Sequence, residues 1–258
     1  MSAGGRPVAV ITGGRRGIGL GIATELAKAG SDIAVTGIGD MERGDPVLDG
    51  LAALGAAAIY LKADLADLSG HAGTVEAVLA RFGRIDCLVN NAGMASVVRG
   101  DFLDLTPENF DAILATNLRG TVFFTQAVVR RMLTAVNFSQ NRSVITITSV
   151  SARLSSPERL DYCISKSALA SFSQGLALRL AETGIAVFEV RPGIIRTDMT
   201  AGVAGKYDGL IDGGLVPMKR WGEATDIGAM VAALASGHFA FATGTVIDAD
   251  GGLSIGRL

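Results

Sequence analysis

Pro7-Val-Ala-Val-Ile-Thr12 is an unbroken apolar run, and Gly13-Gly-Arg-Arg-Gly17-Ile-Gly19 follows it at once. A continuous apolar strand is what a parallel sheet covered on both faces requires. Helical spacing then sets in with Ile22, Leu26 and Ala27. Strand, glycine turn and helix N-terminus in that order make a phosphate site. Backbone N–H groups and the helix dipole face the anion, and the glycines let the backbone approach it. The spacing is Gly-x-x-x-Gly-x-Gly rather than the Gly-x-Gly-x-x-Gly of the standard dinucleotide fingerprint. Its place between a first strand and a first helix gives it weight.

Further short apolar runs recur at Ile33–Thr36, Ala57–Leu61, Asp86–Asn90, Arg142–Ser149, Ile185–Arg191 and Thr245–Asp248, with helical periodicity between several of them. This alternation predicts an α/β fold: a doubly wound parallel sheet of about seven strands, with helices on both faces and right-handed crossovers. Glycine is 34 of 258 residues, well above the usual ~7% and without collagen periodicity, in keeping with many tight strand–helix turns. No repeat, linker or composition break divides residues 1–258, so one domain is expected. The stretch 195–221 is rich in glycine and poor in periodicity, which inside a compact domain points to a lid or to disorder.

Net charge is −2 and mixed along the chain, so nothing electrostatic recommends nucleic acid or an anionic membrane as partner. Cys87 and Cys163 have no paired spacing and are read as reduced thiols. The apolar run Val8–Ile11 is too short for a signal peptide or a span, so a soluble, cytoplasmic protein is expected. His71 and His238 are isolated, and no metal is implied.

A second constellation lies in the stretch from Ser149 to Lys166. Tyr162 and Lys166 fall four apart on a long apolar helix, on one face. A cation beside a phenol favours the phenolate and lowers its pKa, which makes the pair a plausible general acid/base. Ser149, at the end of an apolar strand, could hydrogen-bond the same substrate oxygen.

Thr12-Gly13-x-x-x-Gly17-x-Gly19, Asp64, Asn90-Asn91-Ala92-Gly93, Asn117, Ser149, Tyr162-x-x-x-Lys166 and Pro192-Gly193 occur in this order. In that ordered set the chain resembles the short-chain dehydrogenase/reductase family, over essentially its whole length. It is most similar to the 3-oxoacyl-(acyl-carrier-protein) reductase type, whose members contain stretches like Thr197-Asp-Met-Thr200. The resemblance implies a Rossmann-type fold and hydride transfer between a nicotinamide cofactor and a ketone or secondary alcohol. It implies Asn117, Ser149, Tyr162 and Lys166 as catalytic residues, with Asn117 distorting its helix and seating a water beside Lys166. Ser151 is the rival serine, but Ser149 has the family's separation from Tyr162. Lys166 would lower the tyrosine pKa and hold the nicotinamide ribose. The implied cofactor site comprises Gly13, Arg15, Arg16, Gly17, Ile18 and Gly19, then Asp64, Leu65, Asn91, Ala92 and Gly93. Tyr162, Lys166, Pro192, Gly193, Ile195 and Thr197 complete it. The segment 195–221 would close over the substrate.

Arg16, directly before Gly17, matches a basic residue that pairs with the 2′-phosphate in NADP-preferring members, and an arginine fork suits that anion. Gly37, at the end of the second strand, lacks the carboxylate that would favour NAD. Ile38 and nearby Asp40 argue the other way. NADP(H) is therefore expected, with NAD(H) possible. Arg130 and Arg131 fit an acidic carrier protein, whereas Arg153, Ser155, Ser156, Glu158 and Arg159 make the pocket loop polar for a fatty chain. A small hydroxylated or sugar-like ketone is thus the rival substrate, and a non-catalytic nicotinamide sensor the remote alternative. Apolar residues around the helices Leu118–Leu133 and Leu160–Leu180 predict a second buried face and a homo-oligomer, with a tetramer expected. Leu253–Leu258 is the candidate second contact.

Overall fold

The computed structural model describes residues 5–41, 45–135, 141–202 and 204–256. Seven strands, β1 Val8–Ile11, β2 Asp32–Gly37, β3 Ala58–Lys62, β4 Cys87–Asn90, β5 Arg142–Ile147, β6 Ile185–Pro192 and β7 Val246–Ala249, form one sheet in the order β3-β2-β1-β4-β5-β6-β7. Every pairing is parallel. The chain winds outward from β1 to β3, then restarts at β4 on the other side of β1. In such a sheet the carboxyl ends of the strands at that reversal frame a ligand crevice.

The helices are α1 Gly17–Lys28, α2 Pro46–Ala53, α3 His71–Phe82, α4 Pro107–Leu114, α5 Thr121–Thr134, α6 Leu160–Leu180, α7 Asp198–Ala201, α8 Ala204–Asp212 and α9 Ala224–Ala235. Alternate residues of β1 enter opposite cores. Ala9 and Ile11 pack with Ile22 and Leu26 of α1 and Ile227 and Val231 of α9. Val8 and Val10 join Val75 and Val78 of α3, Phe124 and Val128 of α5 and Leu180 of α6. Burial on both faces is why this strand shows no polar alternation.

Helix α9 is not anticipated by the sequence reading. It packs on α1 through glycines: a Cβ at Gly21 would lie 2.5 Å from the Ala224 carbonyl oxygen, and one at Gly228 would lie 2.5 Å from that of Gly21. The run from Phe110 to Leu133 is not one regular helix. A π-helical turn, Ala115–Gly120, separates α4 from α5. The run Pro107–Thr134 is long and apolar enough to cross a membrane by length and composition alone. Here Ile113, Phe124, Thr125, Val128, Val129 and Met132 of that run are buried within the protein.

The stretch 195–221 differs from the aperiodic loop that its glycines suggest. It contains α7 and α8, and Ile211, Val216 and Trp221 form a small core of their own. Trp221 Nε1 donates to Asp208 Oδ1 at 2.7 Å and meets Tyr207 edge-on at 5.8 Å. His71 is a core residue: its Nε2 lies 3.0 Å from the Leu65 carbonyl oxygen, its ring stands edge-on to Phe124, and burial lowers its pKa. Cys87 and Cys163 are buried free thiols, and burial pushes Cys87 up to about 12.

Candidate active site

The turn between β1 and α1 is bound to the end of β4. Thr12 Oγ1 accepts from the backbone N–H groups of Asn91 and Ala92, both at 3.0 Å. Asn91 Nδ2 donates back to the carbonyls of Thr12 at 2.9 Å and Gly13 at 3.1 Å. Gly13 has φ +65°, and a Cβ there would lie 3.0 Å from Ala92 Cα. A Cβ on Gly19 would collide with the Gly13 carbonyl oxygen. Gly17 has φ +52° and faces Thr197, to whose Cγ2 a Cβ would lie 3.4 Å. Arg16, the N-cap residue of α1, provides no side-chain cap, and the first turn holds no acidic residue. The leading N–H groups of a helix have no intrahelical acceptor, so this end suits a cofactor pyrophosphate.

The other expected cofactor residues line the carboxyl ends of the strands. Asp64, past β3, uses Oδ1 to accept from Ala66 N–H at 2.9 Å. The side chains of Leu65 and Ile18 pack into the two cores. Pro192 ends β6, and Gly193 N–H donates to the Ala249 carbonyl at 3.0 Å. Ile195 is buried and bridges to Gly222, while Thr197 opens α7 in a capping box with Thr200.

Arg15 and Arg16 diverge. Arg15 lies beside the end of β2, donating to the Asp40 carbonyl at 2.9 Å and to Asp45 Oδ2 at 2.8 Å while covering the Tyr60 ring. Tyr60 hydroxyl bonds the Gly39 carbonyl, and Lys62 meets Asp40 at 2.8 Å. Arg16 is exposed, with Nη1 3.6 Å from Asp198 Oδ2 of α7. The sequence reading passes over Asp45, whose only local sign is a carboxylate preceding Pro46 in the cap position of a helix.

Asn117 lies inside the π turn and is fully buried. Its Oδ1 accepts from Met94 N–H at 2.7 Å, and its Nδ2 donates to the Met94 carbonyl at 3.0 Å and to Ser165 Oγ at 3.1 Å. The loop after β4 is thereby tied to α6. A Cβ on Gly93 would stand 3.2 Å from Asn117 Oδ1 and 3.5 Å from Lys166 Nζ. Glycine at 93 thus keeps space open between those two groups. Lys166 Nζ donates to the Ile147 carbonyl at 3.2 Å and lies 5.7 Å from the Tyr162 ring centre. Ser149 Oγ accepts from Ser151 N–H at 3.0 Å, so the rival serine supports Ser149 through its backbone, and the Ser149 hydroxyl acts to lower the pKa of the Tyr162 phenol.

The electrostatics correct one expectation. The phenol of Tyr162 is held above its ordinary value, because burial outweighs the hydrogen bond from Ser149 and the charges of Arg159 and Arg99. Lys166 is not among the groups that lower it. It is itself buried and pushed down to about 8, with the Glu189 carboxylate opposing the shift. Arg99 and Asp161 are additions that the sequence reading does not single out.

The family model described as enoyl-(acyl carrier protein) reductase matches residues 13–254. A crystal structure of 3-oxoacyl-(acyl-carrier protein) reductase from Brucella melitensis in complex with NAD is 64% identical, with a TM-score of 0.97 over 99% of this chain and 100% of that one. A putative 2-deoxy-D-gluconate 3-dehydrogenase from Agrobacterium tumefaciens with bound NADP is 29% identical, with a TM-score of 0.83 over 98% and 97% of the two chains. The 3-oxoacyl-(acyl-carrier-protein) reductase FabG of Staphylococcus epidermidis is 32% identical over 95% of this chain and 98% of its own. The chain belongs to the short-chain dehydrogenase/reductase family and is an oxidoreductase that works with a nicotinamide cofactor.

Proposed function

We propose that Tyr162 is the acid/base for interconversion of a ketone and a secondary alcohol, with Ser149, Lys166 and Asn117 as its catalytic partners. The observation that supports this reading is the proximity of the four: Lys166 Nζ lies 5.7 Å from the Tyr162 ring centre, a Cβ on Gly93 would stand between Lys166 and Asn117, and Ser149 acts on the Tyr162 phenol. The bound nicotinamide supplies or takes up the hydride. In reduction Tyr162 donates its proton to the carbonyl oxygen, and Ser149 stabilises the charge growing there. A phenol raised by burial is protonated at neutral pH, which suits this direction. Lys166 remains largely charged near pH 7 and holds the ribose side of the cofactor. Asn117, fixed between Met94 and Ser165, positions the water path to Lys166. The segment 195–221 acts as the substrate lid.

The preferred cofactor is NADP(H), with NAD(H) possible. Arg16 is exposed at the turn, and a Cβ on Gly39 would lie 3.3 Å from Arg15 Nη1. Arg15 therefore borders the end of β2, where Gly37 offers no carboxylate, and Arg16 stands free of the core at the turn. The Brucella relative with NAD and the Agrobacterium relative with NADP support a site open to either cofactor. The substrate reading is a 3-oxoacyl thioester on an acyl carrier protein, by similarity to the named reductases. A small polar hydroxy-ketone is favoured by a specific observation: Arg131 is paired with Glu76 at 2.6 Å, which weakens the basic face for a carrier.

The protein works in the cytoplasm as a homotetramer. Phe123, Ile164 and Leu178, exposed on α5 and α6, supply one interface. Part of the expected second contact, Arg257 and Leu258, lies outside the described residues. Tyr162→Phe tests the central reading. Cofactor affinity should persist while turnover falls at least ~10²-fold, at the low end for general acid–base catalysis. Turnover near wild type overturns the assignment.

A further inference from the structure

The rim beside Tyr162 carries charge that reduction of a neutral ketone does not require. Arg159 precedes α6 and holds its guanidinium carbon 5.6 Å from the centre of the Tyr162 ring. That position is electrostatically uphill, because a helix presents its positive end there and favours anions. Arg99 stands in the loop after β4, which packs on the same segment. Two bonds hold this loop against the start of α6: Ser96 Oγ donates to Asp161 Oδ1 at 2.6 Å, and Gly100 N–H donates to the Glu158 carbonyl at 3.2 Å. Both arginine charges act on the Tyr162 phenol.

Two neighbouring acids face other cations, and a third, Asp161, is bonded through Oδ1 with its buried Oδ2 unpartnered. Glu158 faces Lys206 of α8 at 3.7 Å, and Asp248 of β7 faces Arg153 at 3.9 Å. Asp161 is buried and accepts from Ser96 and from Tyr162 N–H. Among the described residues, neither Arg99 nor Arg159 has a carboxylate within 4.0 Å. Two cations on adjoining segments thus act on the reacting group without an ion-pair partner among the described residues.

We propose that Arg99 and Arg159 form an anion subsite for a carboxylate carried by the substrate, so that the enzyme interconverts small oxo acids and hydroxy acids. The inference rests on Tyr162 as the acid/base. A planar guanidinium matches a carboxylate in a paired fork, and charge-assisted bonds of this kind are the strong ones. The carboxylate passes through the reaction unchanged. The carbonyl carbon gains a hydride from the reduced nicotinamide, its oxygen gains the Tyr162 proton, and the nicotinamide is left oxidised. A long acyl thioester offers no negative charge near its ketone and would leave both arginines unpaired. Phosphate at the far end of a carrier arm is the other anion source, and the test separates it.

The test compares two-, three- and four-oxo acids of four to six carbons, each beside its methyl ester, and a 3-oxoacyl thioester with and without a phosphate-bearing arm. At least one acid should exceed its ester in kcat/KM by about 10- to 100-fold, the scale of hydrogen bonds to charged groups. Arg159→Ala and Arg99→Ala should each narrow that acid-to-ester ratio mainly through KM, and Arg159→Lys should restore part of it. Esters equal to or better than their acids, or arginine variants that lower acid and ester alike, overturn the subsite. So does a phosphate-bearing thioester that outperforms every acid and loses that advantage in the variants. If no ketone is turned over, a neutral diketone included, the Tyr162 reading fails instead. Calorimetry of hydroxy acids against their esters on the enzyme saturated with NAD⁺ or NADP⁺ then decides the subsite by itself: preferential binding of an acid supports it, and equal or absent binding overturns it.

Discussion

The cofactor turn and the substrate rim lie at the same end of the sheet and are built differently. In the turn, the Thr12 hydroxyl serves Asn91 and Ala92, Asn91 serves Thr12 and Gly13, and glycines sit where a Cβ would strike backbone. On the rim, Val97, Val98, Leu154, Met199 and Met218 are exposed, and the arginines at Tyr162 lack carboxylate partners among the described residues. In the first region the polar groups bond one another; in the second the two arginines do not. Backbone sterics fix the turn, whereas side chains make the rim.

Paired glycine substitutions put this contrast under the greatest strain. In Gly19→Ala the new methyl would meet the Gly13 carbonyl oxygen and lie 2.6 Å from Asn91 Nδ2. Overpacking against backbone costs typically 1–3 kcal/mol and occasionally more. Here both neighbours are held by hydrogen bonds, so denaturant unfolding should show a loss of about 3 kcal/mol with cofactor affinity lost as well. Gly100, in the rim loop, has nothing within 4 Å of the place a methyl group would take. Gly100→Ala should stay within about 0.5 kcal/mol of wild type, as surface changes do. Equal losses in the two variants would break the comparison.

The same division governs what the sequence reveals. The five inner strands are legible because burial on both faces writes each as an apolar run, and the turn is legible because φ > 0 and close approach demand glycine. Asn117 is legible only through family resemblance, since a polar residue within an apolar helix does not announce a π turn; the turn exists in the three-dimensional bonding to Met94 and Ser165. Helix α9 presents Ile227, Val231 and Leu234 at helical spacing, but its packing on α1 through Ala224, Gly228 and Gly21 leaves no mark in the apolar pattern. The anion subsite escapes it too. Arg99 and Arg159 are sixty positions apart and look like ordinary surface charge until Ser96 and Gly100 draw their segments together. Tyr162 carries the same lesson, for a sequence supplies a lysine four residues away but not the burial that outweighs nearby charges.

Lys166 sharpens the comparison at the border between the two regions. Burial pushes it down to about 8 from 10.5. A lysine whose folded pKa is depressed binds fewer protons in the native state, so stability rises with pH across the interval from about 8 to 10.5. Below that interval the full cost is present, about 3 kcal/mol at most from the size of the shift. Lys166→Met removes the buried charge. The variant should lose turnover yet unfold at higher denaturant than wild type at pH 7, and the advantage should shrink as pH climbs through the interval. A stability difference that does not change with pH would place the ammonium in a solvated setting. It would also remove the electrostatic argument for its holding the cofactor.

Arg16 joins the two regions, and it produces the smallest effects. Its guanidinium, 80% exposed, stands 3.6 Å from the Asp198 carboxylate, 72% exposed, so the glycine turn and α7 meet through a solvated ion pair. Such pairs contribute between nothing and about 1 kcal/mol to folding, so neither Arg16→Ala nor Asp198→Asn should change the melting temperature appreciably. Cofactor choice is where they act. If Arg16 serves a 2′-phosphate, Arg16→Ala should weaken NADPH by roughly tenfold or more, from the strength of charged hydrogen bonds, and barely affect NADH. Asp198 then competes with that phosphate for the same arginine. Asp198→Asn should tighten NADPH by only about two- to threefold at low salt, with NADH unchanged, and the gain should fade as screening shortens the reach of exposed charges. Fluorescence titration of both variants with both cofactors measures this. Equal shifts for NADH and NADPH would assign Arg16 to the shared pyrophosphate, and the coupling between turn and lid would then be independent of which cofactor is bound.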